Sequence, residues 1–198
     1  METTSYKLKI VFTTSVLGTQ PQLDVATKFI TSKMADESGN LPADELGTLP
    51  EELEKGTTAF HKLDGQPIFY DYQVKGFLKE AGQVFNGKDG MPKSLRSKID
   101  NLVFPGPRQI EIHLPDGAAV GFCERPLRAQ TAQGPRTSLA RSEEIPAGSW
   151  FECTLKVYPG EIGEKALREL LSYGADKGIG QWRNGGKGRF SFELHKEG

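Results

Sequence analysis

The segment Gly178-Ile179-Gly180-Gln181-Trp182-Arg183-Asn184-Gly185-Gly186-Lys187-Gly188-Arg189-Phe190 carries five glycines and three cations. Glycine accepts positive φ and lets backbone approach a ligand closely. Exposed N–H groups bind phosphate oxygens, and Arg183, Lys187 and Arg189 add positive charge. The chemistry this composition suggests is phosphate binding. It is not a nucleotide P-loop: counting back from Lys187 puts Gln181 where the first glycine belongs and Gly188 where the hydroxyl belongs. The dinucleotide spacing fails as well, because Arg183 stands three residues after Gly180. No cofactor is expected. Trp182 inside this loop, and Tyr70 and Tyr72 upstream, are residues that stack on unpaired bases.

A second cluster runs through Arg125, Arg128, Arg136 and Arg141, with no acidic residue between Glu124 and Glu143. It stands out because the 198-residue chain has 25 Lys and Arg against 26 Asp and Glu, a net charge of −1. That total excludes a protein that coats nucleic acid by charge alone, so any RNA site must come from local clustering. Lys75 and Lys79 fall near the start of a helix, where the N-terminus attracts anions. Cys123 and Cys153 have no CxxC spacing, and His61, His113 and His195 are scattered. They form neither a zinc framework nor a disulfide scaffold, which fits a reducing, cytoplasmic setting. His61 and His113 have no recognisable partner in the sequence and read as structural or exposed. No run approaches the roughly 20 apolar residues of a membrane span, and no export signal is legible, so no membrane partner is expected.

Elements must position these residues. Tyr6, Leu8, Ile10 and Phe12 alternate against Lys7 and Lys9, predicting a strand with one buried face. Val25, Ala26, Phe29 and Ile30 predict a helix within Gln22 to Met34, followed by an acidic, Pro- and Gly-interrupted stretch from Ala35 to Lys55. Asp64-Gly65 marks a turn, and Ile68 to Tyr72 reads as extended. Val74, Phe77, Leu78, Ala81, Val84 and Phe85 then share one helical face. Alternation predicts strands at Ile110, Ile112, Leu114 and at Phe151, Cys153, Leu155, Val157. Ala166, Leu167, Leu170 and Leu171 define a second helix, with Gly174 as its C-cap, and Phe190, Phe192 and Leu194 a last strand. The order strand, helix, strand, strand, helix, strand is that of an α+β, ferredoxin-like (RRM-like) antiparallel sheet with two core helices on one face. The whole chain, 1–198, reads as one domain, with an insertion at about 22–62 and a basic loop at about 124–148.

Four segments in order resemble the RAMP superfamily, the family of CRISPR effector backbone subunits. Gly178, Gly180, Gly186 and Gly188 fit its glycine-rich loop. Tyr6 to Gly18 is similar to its first strand and turn, and Arg125 to Gly148 to its thumb-like loop. Val74-Lys75-Gly76 keeps the hydrophobic-Lys-Gly at the head of the first helix, with Tyr70, Asp71, Tyr72 and Gln73 where the family has Pro-Gly-Ser-Ser. The resemblance spans most of the chain outside about 22–62. It implies a non-catalytic protein that grips the sugar-phosphate backbone of single-stranded RNA and self-associates or docks onto a larger ribonucleoprotein. Taken with the residue chemistry above, the candidate RNA contacts are Lys75, Lys79, Arg125, Arg128, Arg136, Arg141, Gly178, Gly180, Trp182, Arg183, Gly186, Lys187, Gly188 and Arg189. A phage or mobile-element protein obstructing such a complex would carry the same features.

The family's target-cutting acid has no counterpart here, since Asp24, the nearest acid, sits among helically spaced apolar residues. Two alternatives remain from other classes. A metal-independent endoribonuclease requires a histidine or other general base within reach of the RNA cradle. A protein-interaction module requires that the arginines of the basic loop be dispensable.

Overall fold

The computed structural model describes residues 2–21, 57–88, 90–131 and 134–197. The helix expected at Gln22 to Met34 and the acidic stretch after it lie outside these residues. Strands β1 (Thr4–Phe12), β7 (Val103–Gly106), β11 (Trp150–Val157) and β12 (Phe190–Lys196) form a four-stranded sheet in the order β12-β1-β11-β7. All three pairings are antiparallel. Helices α1 (Asp71–Val84) and α3 (Glu164–Lys177) cover one face, where Leu8, Ile10, Phe151, Leu155 and Leu194 meet Val74, Leu78, Leu167 and Leu171 in one core. This is the α+β, ferredoxin-like arrangement, and it follows from period-two burial in β1 and β11 against helices apolar on a single stripe.

Two smaller sheets flank it. Strands β5 (His61–Leu63), β6 (Gln66–Tyr70) and β8 (Gln109–Glu111) form one, with the expected turn at Asp64-Gly65. The other holds β2 (Val16–Leu17), β3 (Gln20–Pro21), β4 (Thr57–Ala59), β9 (Gly121–Thr131) and β10 (Gly134–Ile145). The segment read as a basic loop is thus largely a long antiparallel hairpin, β9 against β10, registered from Gly121↔Glu144 to Thr131↔Gly134. Residues 57–59 and 61–63, at the end of the expected insertion, are strands of these two sheets.

Three expectations change. The second core strand is Val103–Gly106, while the alternation at Ile110 and Ile112 belongs to the flanking sheet and its approach. Both stretches bury apolar side chains, and periodicity cannot say which sheet receives them. Tyr72 lies in α1, which starts at Asp71 after the extended Tyr70. Gly174 is inside α3, whose cap is Gly178; a Cβ on Gly174 would stand 2.8 Å from the Phe77 ring, so its role is close helix–helix approach. A further helix, α2 (Leu95–Leu102), packs against α1 by burying Leu95 and Ile99. Leu95, Ile99 and Leu102 already show its i, i+4, i+7 pattern in the sequence.

Candidate nucleic-acid interface

The glycine loop is stitched to itself and to the end of β1. Ile179 N–H donates to the Gly188 carbonyl at 2.9 Å, Gly188 N–H to Ser15 at 2.9 Å, and Arg189 N–H to Thr14 Oγ1 at 2.9 Å. Gly178 N–H caps α3 through Gly174, and the Gly185 and Gly186 amides donate to Trp182 and Arg183 within a short 3-10 turn, Arg183–Gly185. A Cβ on Gly178 or Gly180 would meet the Lys187 or Leu17 carbonyl, whereas one on Gly186 would meet nothing within 4 Å. Most glycines here therefore serve backbone packing, and these amides are committed within the protein.

The loop's cations have partners that local sequence does not reveal. Lys187 Nζ lies 2.7 Å from Glu144 Oε1 and 2.7 Å from Ser15 Oγ. Burial works against the Glu144 carboxylate, but the hydrogen bonds from Lys187 and Ser15 outweigh it and hold its pKa below the usual carboxylate range. Arg183 Nη1 donates to Glu80 Oε2 on α1 at 2.6 Å. The Arg189 side chain is exposed.

The hairpin arginines divide. Arg125 is buried at 7% exposure; it donates to Ser142 Oγ at 2.9 Å and to Gln181 Oε1 at 3.0 Å, and its guanidinium lies 5.3 Å from the Trp182 ring centre. Thr58 Oγ1, 2.7 Å from Ser142 Oγ, joins the same network. Arg125 thus ties hairpin, β4 and glycine loop together. Arg125→Ala should lower stability by roughly 1–3 kcal/mol by removing the two charge-assisted hydrogen bonds to Ser142 and Gln181, and Arg125→Lys should not restore it, because one ammonium cannot reproduce the fork. Urea unfolding of both variants checks this; full recovery by lysine would contradict it. Arg141 covers the Phe122 ring at 4.0 Å, 3.6 Å from Glu124. Arg128 and Arg136 stand opposite Thr137 and Ala129 in the hairpin register, and their side chains lie outside the described part. Trp182, at a positive φ of 53°, is 45% exposed.

The head of α1 meets this loop. Tyr72, Gly76 and Glu80 form an i, i+4, i+8 ridge between two open grooves. One, about 530 Å³, is bordered by His61, Gln73, Gly178, Gly180 and Arg183; the other, about 460 Å³, by Lys75, Lys79, Gln83, Arg96 and Asp100. Asp71 N–H and Tyr72 N–H are bonded to the Arg108 carbonyl and the Asp71 carboxylate, and Asp71 already supplies negative charge at the helix terminus. The two amides at the head of α1 are thus already engaged; further along the helix, Lys75 and Lys79 share Asp100 at 3.7 and 2.9 Å. The hydrogen bond from Lys79 chiefly holds the Asp100 carboxyl below its ordinary pKa; desolvation opposes it, and the charges of Lys79 and Lys75 add to the lowering. Along α1 the structure thus places Lys75 and Lys79 in one groove and Gly178, Gly180 and Arg183 in the other, while Arg125 contacts the glycine loop through Gln181 and Trp182, and Lys187 faces Ser15 and Glu144.

Sequence reasoning missed Arg96 and Arg108 and the acids Glu80, Asp100 and Glu144. The spacing of α2 was a usable signal for Arg96. The acids carried none, because ion pairs 103 and 43 residues apart leave no local pattern. Among the described residues, no group of three or more His, Cys, Asp and Glu side chains is placed to hold a metal. Cys153 is buried, with its thiol pushed up to about 12 by desolvation, and Cys123 is partly exposed. His113 stacks on Trp150 at 4.1 Å, away from the grooves, and His195 is exposed.

His61 borders the first groove, with Nε2 3.3 Å from the Tyr72 hydroxyl, and partial desolvation lowers its pKa from 6.5. A lowered folded-state pKa means the unfolded chain takes up this proton first, so the contribution to stability is full above about pH 6.5 and is lost as pH falls through the folded value. Between about pH 7.5 and about pH 5 the wild type should lose more melting temperature than His61→Gln. Equal losses would remove His61 as the cause.

The fold defines an α+β protein of the ferredoxin-like class. Two solved structures similar to it are chains of CRISPR assemblies: a chain of the type III-B Cmr-beta complex bound to cognate target RNA matches at TM-score 0.54 and 13% identity, over 98% of this chain. This protein spans 61% of that chain. A chain of a type IV-B CRISPR complex matches at TM-score 0.45 and 11% identity, covering 96% of this chain and 90% of its own. No family model matches, and no curated protein does. At such identity the likeness is one of fold.

Proposed function

We propose that this protein is an RNA-binding subunit of RAMP type that grips the sugar-phosphate backbone of single-stranded RNA within a larger ribonucleoprotein. The observation that carries the reading is the excess of cations along α1: Lys75, Lys79, Arg96, Arg108 and Arg183 face three acids, Asp71, Glu80 and Asp100. Backbone contacts of this kind grip without reading sequence. The four-segment resemblance in the sequence and the fold likeness to a chain from an RNA-bound complex support the same reading.

The test is binding of labelled single-stranded RNA at two salt concentrations. Lys75→Ala/Lys79→Ala/Arg183→Ala should weaken binding by about tenfold or more and flatten the salt slope by about 2, at roughly 0.7 for each phosphate no longer neutralised. Lys165→Ala, an exposed lysine on α3, should leave both unchanged. Absence of wild-type binding at low salt would overturn the reading in favour of a protein-interaction module.

One observation favours a second reading, a metal-independent endoribonuclease. The His61 imidazole, its pKa lowered, lies in the groove beside the glycine loop, in the state that accepts a proton. Cut products that disappear in His61→Ala would promote it; intact RNA after prolonged incubation would remove it.

A further inference from the structure

The groove between α1 and α2 has a feature that backbone gripping does not use, an aromatic shelf at its mouth. Tyr72 is 48% exposed and borders both grooves. Its ring lies nearly parallel to Tyr70, 14° between planes and 5.5 Å between centres. The Arg108 guanidinium is 5.3 Å from each of the two rings. These distances form an almost equilateral triangle, so Tyr70, Tyr72 and Arg108 make one compact cluster, of which Tyr72 keeps about half of its surface exposed. Arg108 is anchored by Asp71 at 2.6 Å, and the Tyr72 hydroxyl reaches His61 at 3.3 Å. The ring is held in place before any ligand arrives, which reduces the ordering cost of binding.

Beyond the shelf the groove is electropositive. Lys75, Lys79 and Arg96 line it, and the acids beside them are Asp100 and Glu80, of which Glu80 is already engaged by Arg183. A neighbouring hollow of about 400 Å³ continues along Lys79, Asn86, Ser94, Arg96 and Ser97. The volume of about 460 Å³ falls within the range of small-molecule sites, about 300–1,000 Å³. Gly76, where an added Cβ would meet nothing within 4 Å, makes a low point in the ridge across which a chain can pass from one groove to the other.

We infer that the α1/α2 groove is a nucleotide subsite for unpaired RNA, with one base stacked on Tyr72 and the adjoining phosphates held by Lys75, Lys79 and Arg96. It rests on the RNA-binding reading above and adds that the ligand must offer a free base face. An aromatic face beside a row of cations suits single strands, because bases in a duplex are already stacked and paired.

The test uses the full chain and three labelled RNAs: a single strand, the same strand with abasic residues, and its duplex. Wild type should bind the intact single strand about tenfold more tightly than the abasic strand. Tyr72→Leu should lose that difference while Tyr72→Phe, which keeps the ring and drops the His61 contact, retains it. Circular dichroism establishes that each variant is folded. Equal wild-type affinity for intact and abasic strands would overturn the subsite and leave the backbone grip standing. A Tyr72→Leu loss of the same size on abasic RNA would also overturn it, as the mark of a merely structural residue. Failure of wild type to bind any of the three would overturn both readings.

Discussion

Gly188→Ala should cost roughly 2–5 kcal/mol, whereas Gly186→Ala, two residues earlier, should cost about 1–2 kcal/mol. Both glycines have positive φ, +75° and +82°. At Gly186 the new methyl points into open space, so only the left-handed backbone penalty applies. At Gly188 it would be driven into the backbone of Ile179, the residue whose N–H donates to the Gly188 carbonyl, and whose neighbour Gly178 ends α3. Backbone atoms on both sides leave nothing flexible to move aside. Equilibrium urea unfolding measures both; equal shifts would show that the loop relaxes as a unit and that Gly188 is not its closure point.

Phe12→Ala should lose about 3–5 kcal/mol, against about 1 kcal/mol or less for Phe122→Ala, which gives up its contact with Arg141. Phe12 is 1% exposed and meets the rings of Phe69, Phe151 and Phe190 at 6.2, 5.9 and 6.5 Å, joining the main sheet to β6 of the flanking sheet. Phe122 is 50% exposed. Because β6 ends at Tyr70, the tyrosine beneath Tyr72, the Phe12 cavity should also loosen the stacking shelf. A Phe12→Ala variant as stable as Phe122→Ala would mean that the two sheets do not share one core.

The arrangement separates two kinds of positive charge. Lys187 and Arg125 are bound into the fold by Glu144, Ser15, Ser142 and Gln181, so their removal reads out in stability. Lys75, Lys79 and Arg96 line a groove in which their charge exceeds that of the neighbouring acids, so their removal should read out in RNA affinity. Mutating basic residues without this distinction would confound unfolding with weakened binding.

By itself the sequence determined the elements of the core. Alternation in Tyr6 to Phe12 and Phe151 to Val157, and the apolar faces of α1 and α3, were legible because burial on one side of a sheet or helix imposes a local period. The ferredoxin-like order followed from them. Tertiary structure decided which strand fills the fourth place in the main sheet, since Val103 and Ile110 are equally apolar and only their pairing partners differ. It also decided that Arg125 to Gly148 runs largely as a hairpin, and that α2 lies beside α1 to make the groove. Above all it decided the charges. Glu80 reaches Arg183 across 103 residues and Glu144 reaches Lys187 across 43, and neither pairing has a local period to reveal it. A cluster of cations in sequence fixes only how much charge is present; whether that charge is free for a phosphate depends on which carboxylates the fold brings within about 3 Å, where charge-assisted hydrogen bonds form.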